Sequence, residues 1–222
     1  MSLISKDIAS PTIFDVGAHH GESIKRYKKL FPTATIHAFE PDVENFKILK
    51  KNWSDNGSIT LNNLGISASK GTLTLHRNLK SDTTSFHKVN VESEWAKRRS
   101  AHYNASLKEY TEKSYNVPVV NLDSYIEENN ILSINLLKID TQGHEDEVLK
   151  GAKKTLEKGI INVIETELII GNPYVKSLQI YDLEQILIPA GYRLYGIDNQ
   201  GDLLKTPSWC FNLIYIHEKT LK

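Results

Sequence analysis

The chain reads as an α/β protein built on a doubly wound, mostly parallel sheet. Three observations predict this. Short apolar runs of strand length alternate with segments whose apolar residues recur at helical spacing. Strand, helix, strand, helix and strand follow one another through residues 12–66 at the spacing of right-handed βαβ units. The 222 residues are 40% hydrophobic and 24% charged, enough to bury a core without disulfide or metal.

The first strand is Thr12-Ile13-Phe14-Asp15-Val16-Gly17. Ile24, Tyr27, Leu30 and Phe31 then mark a helix, stopped by Pro32. A second strand runs from Thr35 to Glu40, and Pro41 opens a helix carrying Val43, Phe46 and Leu49. Ser58 to Ile66 reads as one third strand. Gly71 to His76 alternates like a half-exposed strand. Residues 77–116 are polar and read as an insertion with helix near 91–112, either a wall over a site or a solvated surface helix. Regularity returns with a strand over Val117–Leu122, where Asp123 is placed to cap the next helix. A strand over Asn135–Asp140, a helix over Glu145–Lys158 and a strand over Ile160–Glu167 follow. A helix near 178–190 leads to a strand over Tyr192–Ile197. Asp198-Asn199-Gln200-Gly201 looks like a turn into a last, antiparallel strand over Trp209–His217. The expectation is a single domain over 1–222.

Lys+Arg and Asp+Glu are 27 each, so the formal net charge is zero, which gives no reason to expect a nucleic-acid partner. Cys210 is the only cysteine, which rules out an intrachain disulfide and a cysteine zinc cluster and fits a reducing, cytoplasmic setting. The apolar runs are far shorter than the roughly 20 residues of a membrane span, and Met1–Pro11 lacks a signal-peptide core. Nothing in the sequence sets the oligomeric state.

In such a sheet, ligands bind beyond the carboxyl ends of the strands, where strand order reverses. Strand one ends in Asp15-Val16-Gly17-Ala18-His19-His20-Gly21. The two glycines permit a tight turn. An acid stands where a dinucleotide fingerprint would open, and the third glycine is missing. That disfavours a pyrophosphate, and with it an NAD-dependent oxidoreductase, and suits a ligand bearing a cation. Strand two ends in Glu40, placed to accept the hydroxyls of a ribose. Together the two features fit S-adenosylmethionine. A non-catalytic binding module would keep the same features.

The residues Phe14 to Gly21, Ala38-Phe39-Glu40-Pro41 with Asn45-Phe46, Val120-Asn121-Leu122-Asp123, Leu137 to Glu145 and Val148 to Ala152 resemble the FkbM family of S-adenosylmethionine-dependent methyltransferases. The resemblance covers about residues 12–168; His19 stands where the family often has Asn, and Thr141-Gln142 where it has Val-Glu. Around the insertion it is loose, limited to Asp82-Thr83-Thr84-Ser85-Phe86. It implies a class I methyltransferase fold with a seven-stranded sheet, the last strand antiparallel. It also implies methyl transfer to a hydroxyl, with a saccharide or polyketide as small-molecule or glycan acceptor.

The site residues follow. We assign the cofactor to Asp15, Gly17, Ala18, His19, Gly21 and Glu40, with Asp140 contributing, and catalysis to Lys138, Asp140 and His144. Lys138 and Asp140 share a strand face about 7 Å apart, and a lysine in a buried strand needs a partner. His144 has the pKa range of a general base, or is simply a helix-start surface residue. Glu145 reads as a first-turn helix acid. Glu165 and Glu167 share a face and, with Asp140, could hold a divalent ion, but no metal motif exists and no metal is assigned. Lys97-Arg98-Arg99 would attract an acidic acceptor or be merely solvated.

Overall fold

The computed structural model describes residues 8–106, 110–199 and 210–221. In chain order the elements are β1 (Thr12–Val16), α1 (Glu22–Leu30), β2 (Thr35–Phe39), α2 (Val43–Trp53), β3 (Ile59–Asn62), β4 (Gly65–Ile66), β5 (Gly71–Asn78), α3 (Glu94–His102), β6 (Thr111–Val120), α4 (Leu122–Glu128), β7 (Ile134–Ile139), α5 (Glu145–Lys150), α6 (Lys153–Lys158), β8 (Ile161–Ile169), α7 (Ile180–Leu187), β9 (Tyr192–Asn199) and β10 (Cys210–His217). A seven-stranded sheet has the order β3-β2-β1-β7-β8-β10-β9. Strands β3, β2, β1, β7 and β8 pair in parallel, and β10 is antiparallel to both neighbours.

Residues alternate across each strand, so the sheet buries two apolar layers. Ile13, Ile36 and Leu136 face one side with Ile24 and Tyr27 of α1 and Leu49 of α2. Phe14, Phe39, Leu137 and Ile164 face the other with Leu122, Val148, Leu156 and Leu183 of α4 to α7. Helices thus cover both faces. After β3 the chain returns across the sheet to β7, so order reverses between β1 and β7.

Four details differ from the sequence expectation. The stretch 58–66 is two strands. At its middle Asn62 donates a side-chain hydrogen bond to Ala38 O and Asn63 donates to Glu40 O, holding a turn that sends β4 into a second sheet, β4-β6-β5. The insertion is not a loose surface helix. Its strand starts at Thr111, and Val89, Trp95, Ala96 and Tyr110 pack with Tyr174 into a small core. The expected helix 145–158 breaks at Gly151-Ala152 into α5 and α6. Asp123 caps across the fold instead of locally. Asn121 caps α4, while the Asp123 carboxylate accepts from Lys154 N (3.0 Å), Thr155 N (2.9 Å) and Thr155 Oγ1 (2.6 Å) at the start of α6. The turn read over Asp198–Gly201 falls partly outside the described residues, as does Trp209, but the β9–β10 pairing is antiparallel as expected.

Candidate active site

Two glycines shape the loop after β1. Gly17 has φ 87°, and a side chain there would overlap the Asp140 carbonyl. Its N–H and that of Ala18 both donate to Phe39 O at 3.0 Å. The ends of β1, β2 and β7 are thereby drawn together. Gly21, φ 93°, precedes α1 and packs under the Trp53 indole.

A cleft opens above this junction, with about 830 Å³ of empty space including its open mouth. Gly17, Ala18, His19, Glu22, Glu40, Asn45, Lys138, Asp140, Thr141 and Gln142 line it, and Ser81 to Phe86 of the insertion supply most of the far wall. Glu40 Oε2 accepts from His19 N and Oε1 from Asp42 N, both at 2.8 Å. Burial pushes the Glu40 carboxyl up to about 8, against those two N–H groups, which favour the charged form. Each oxygen keeps a further lone pair for a ligand hydroxyl. Asn45 Oδ1 and Thr84 Oγ1 are buried without a hydrogen-bond partner in the same lining. Orphaned acceptors and donors of this kind mark a surface shaped for a polar ligand.

Lys138 sits in register between Asp15 on β1 and Glu165 on β8. Its Nζ lies 3.2 Å from Asp140 Oδ2 and 3.5 Å from Asp15 Oδ1. Burial acts to strip its proton, but Asp140 and Asp15 outweigh burial and hold the ammonium above its ordinary range. Burial would likewise raise Asp140, yet Lys138 and the Gln142 amide hold it below the usual carboxylate range. Gln142 Nε2 bridges Asp140 Oδ1 (3.0 Å) and Glu167 Oε2 (2.7 Å), and Tyr174 OH donates to its Oε1 at 2.8 Å. Burial, with Asp140 beside it, keeps Glu167 protonated well above its ordinary value.

Three expected site residues lie elsewhere. Asp15 neither borders the cleft nor caps α1. It is wholly buried on the α1 face of the sheet, where burial raises its carboxyl and Lys138 is its counter-charge. Gly21 shapes the loop from behind and does not line the cleft. His144 is not at the cleft either. It is 4% exposed, with Nδ1 3.2 Å from His87 Nε2 and Nε2 3.0 Å from Ser67 Oγ. Burial and His87 lower it to about 4. A neutral imidazole with both nitrogens engaged is a structural tie and a poor base. Glu145 folds back to accept from Thr141 N (2.8 Å) and Gly143 N (3.0 Å), so it braces the loop. Glu165 is taken by Arg26 and Tyr27. In the basic run, Lys97 pairs with Glu94, and Arg99 pairs with Asp82 and stands over Trp95.

Asn45 and Gln142 carry no site role in the sequence reading, although both stand inside the family-like blocks, whereas Glu167, read there as a possible metal ligand with Asp140, meets Asp140 through the Gln142 amide. The far wall had only the loose match at 82–86 as a signal.

A switch-point cleft under a seven-stranded sheet with one antiparallel strand is the class I methyltransferase architecture. Magnesium protoporphyrin IX methyltransferase from Synechocystis, solved with bound SAM, shares it with a TM-score of 0.53 at 8% identity, over 97% of this chain and 74% of that one. The bifunctional kinase-methyltransferase WbdD shares it with a TM-score of 0.50 at 13% identity, over 97% of this chain and 36% of that one. The profile of the methyltransferase FkbM domain matches residues 15–194, and the chain belongs to that family. A relative in Sinorhizobium fredii, the 2-O-methyltransferase NoeI, is 29% identical over 166 residues, 71% of this chain. The matched region spans 63% of that relative's length.

Proposed function

We propose that this chain transfers a methyl group from S-adenosylmethionine to a hydroxyl oxygen of a small-molecule or glycan acceptor. The observation that carries this is one cleft with a ribose-type acid after β2 and the Lys138–Asp140 pair at the carboxyl end of β7. The family membership and a relative named as a 2-O-methyltransferase support the reaction and its oxygen acceptor. The lining fits the cofactor. The Gly17–Ala18 turn allows close approach, Glu40 faces hydroxyls, unpartnered Asn45 Oδ1 accepts a donor, and Asp140 complements a positive charge.

When bound, S-adenosylmethionine supplies a methyl group on a cationic sulfur. The C–S bond breaks as the C–O bond forms, and the hydroxyl proton must leave. Asp140, which the Lys138 ammonium keeps ionised, is the carboxylate at the cleft that can accept the hydroxyl's hydrogen bond and hold it in line, the proton passing on to solvent water. Lys138 orients Asp140 and neutralises part of the buried acidic cluster. Holding the two reactants in line supplies a large share of the acceleration. The Ser81–Phe86 wall shapes the acceptor side, a saccharide being the acceptor we favour.

Labelled methyl transfer to a panel of saccharide and polyketide alcohols tests this. Label in an alkali-stable methyl ether is the expected result. Label only in alkali-labile methyl esters would move the acceptor to a carboxylate and overturn the role given to Asp140.

A further inference from the structure

We propose that His19, His20 and Glu22 form a binding site for a divalent transition-metal ion of the zinc, cobalt or nickel type at the lip of the cleft. Donor atoms from all three lie within 4.8 Å of one another. His19 Nδ1 is 3.4 Å from Glu22 Oε2, and His20 Nδ1 is 3.8 Å from Glu22 Oε1. Metal–ligand bonds of about 2.0–2.2 Å place tetrahedral donors roughly 3.3–3.5 Å apart. The His19–Glu22 edge already has that length, and His20 must turn out of its stack on His19 for both ring planes to meet at one ion. The two imidazoles stack at 3.7 Å and 21°, with both Nδ1 atoms turned to the one carboxylate.

The loop holds this arrangement without an ion. His19 is left-handed, φ 48°, and the His20 N–H donates to Glu22 Oε2 at 3.2 Å. A further contact points to a ligand. His19 Nε2 lies 2.9 Å from Ser81 Oγ. A hydrogen bond on the far ring nitrogen orients the imidazole, as behind metal-bound histidines generally.

Two imidazoles and one carboxylate leave coordination positions open. His19 and Glu22 border the cleft, so an ion held by them borders it too. Oxygen donors suit the open positions, such as neighbouring hydroxyls of an alcohol acceptor, and coordination would make such a hydroxyl easier to deprotonate. Ser81 belongs to the insertion, so occupancy would also pin that wall against α1. The site does not rest on the methyltransferase reading, because occupancy is measured without turnover.

The test uses the tag-free chain, stripped with a chelator and titrated with Co²⁺ by visible absorption and with Zn²⁺ by calorimetry. One ion per chain is expected, with Co²⁺ bands of a nitrogen- and oxygen-ligated ion. His20→Ala and Glu22→Gln should each weaken binding roughly tenfold or more, and Ser81→Ala about tenfold through its hydrogen bond. His102→Ala, exposed on α3, should bind as the parent does. Melting curves check that every variant folds. No stoichiometric binding at sub-millimolar ion, or binding indifferent to these substitutions, would mean an adventitious ion only and would overturn the proposal.

Discussion

Single residues divide here into those that face the cleft and those that hold its floor. Lys138 belongs to both groups, because it lines the cleft and has two acidic partners. Asp140→Asn therefore does not leave it stranded. Asp15 remains 3.5 Å away, and the loss of stability should stay below the roughly 3–5 kcal/mol of a broken buried pair. Turnover should still fall by about 10² or more, since the charge that holds the acceptor hydroxyl in line is gone. Thermal melting beside labelled methyl transfer separates the two effects, and a fully active Asn variant would remove Asp140 from catalysis. Glu40 carries a second prediction at this scale. With its carboxyl near 8, it is largely protonated at pH 7. Ribose hydroxyls donate best to the ionised form, so cofactor binding should release close to one proton at pH 7 and almost none above pH 9. Calorimetry in buffers of different ionisation enthalpy reads this directly. No release at pH 7 would contradict the ribose role.

Elements are joined by polar ties that a local reading places wrongly. Asp123 follows a strand and precedes a helix, which invites a local cap, yet the fold brings the start of α6 onto its carboxylate. Asp123→Ala should cost about 1–2 kcal/mol of stability, as for a lost helix cap, and leave cofactor affinity unchanged. Chemical denaturation and titration check both halves. His144 ties the start of α5 to Ser67 and to His87 in the segment that follows the cleft wall. Its folded pKa of about 4 lies below the ordinary 6.5. The unfolded chain therefore binds more protons between these values. The buried neutral ring contributes its full share above pH 6.5, and that share is lost as pH falls toward 4. The limiting loss is on the order of 3 kcal/mol. His144→Gln, unable to titrate, should flatten the decline of melting temperature across that window. An unchanged acid limb would place the cause in other groups.

On the scale of the whole molecule, the sheet and its switch point were legible because local periodicity and short βαβ spacing carry them. Glu40 and the Gly17 turn were legible for the same reason, being tied to strand ends. Orientation was not. Asp15 alternates onto the α1 face by register, and His144 turns away from the cleft although it sits only four residues beyond Asp140. The second sheet was hidden because β5 pairs with β6 across an insertion of polar sequence, and no local pattern announces a partner that distant. Asn45 reaches the cleft only once α2 is packed on the sheet, and Glu167 bears on it through Gln142. Among the described residues no helix is long and apolar enough to cross a membrane. The central proposal is that the cleft holds S-adenosylmethionine through Glu40. Calorimetric titration of the parent chain and Glu40→Ala with S-adenosylmethionine, its demethylated product and NAD tests it most directly. One site is expected for the first two ligands, none for NAD, and at least roughly tenfold weaker binding in the variant, from hydrogen bonds to a charged group worth about 1.5–3 kcal/mol each. Binding of NAD in place of S-adenosylmethionine, or equal affinity in Glu40→Ala, would contradict it.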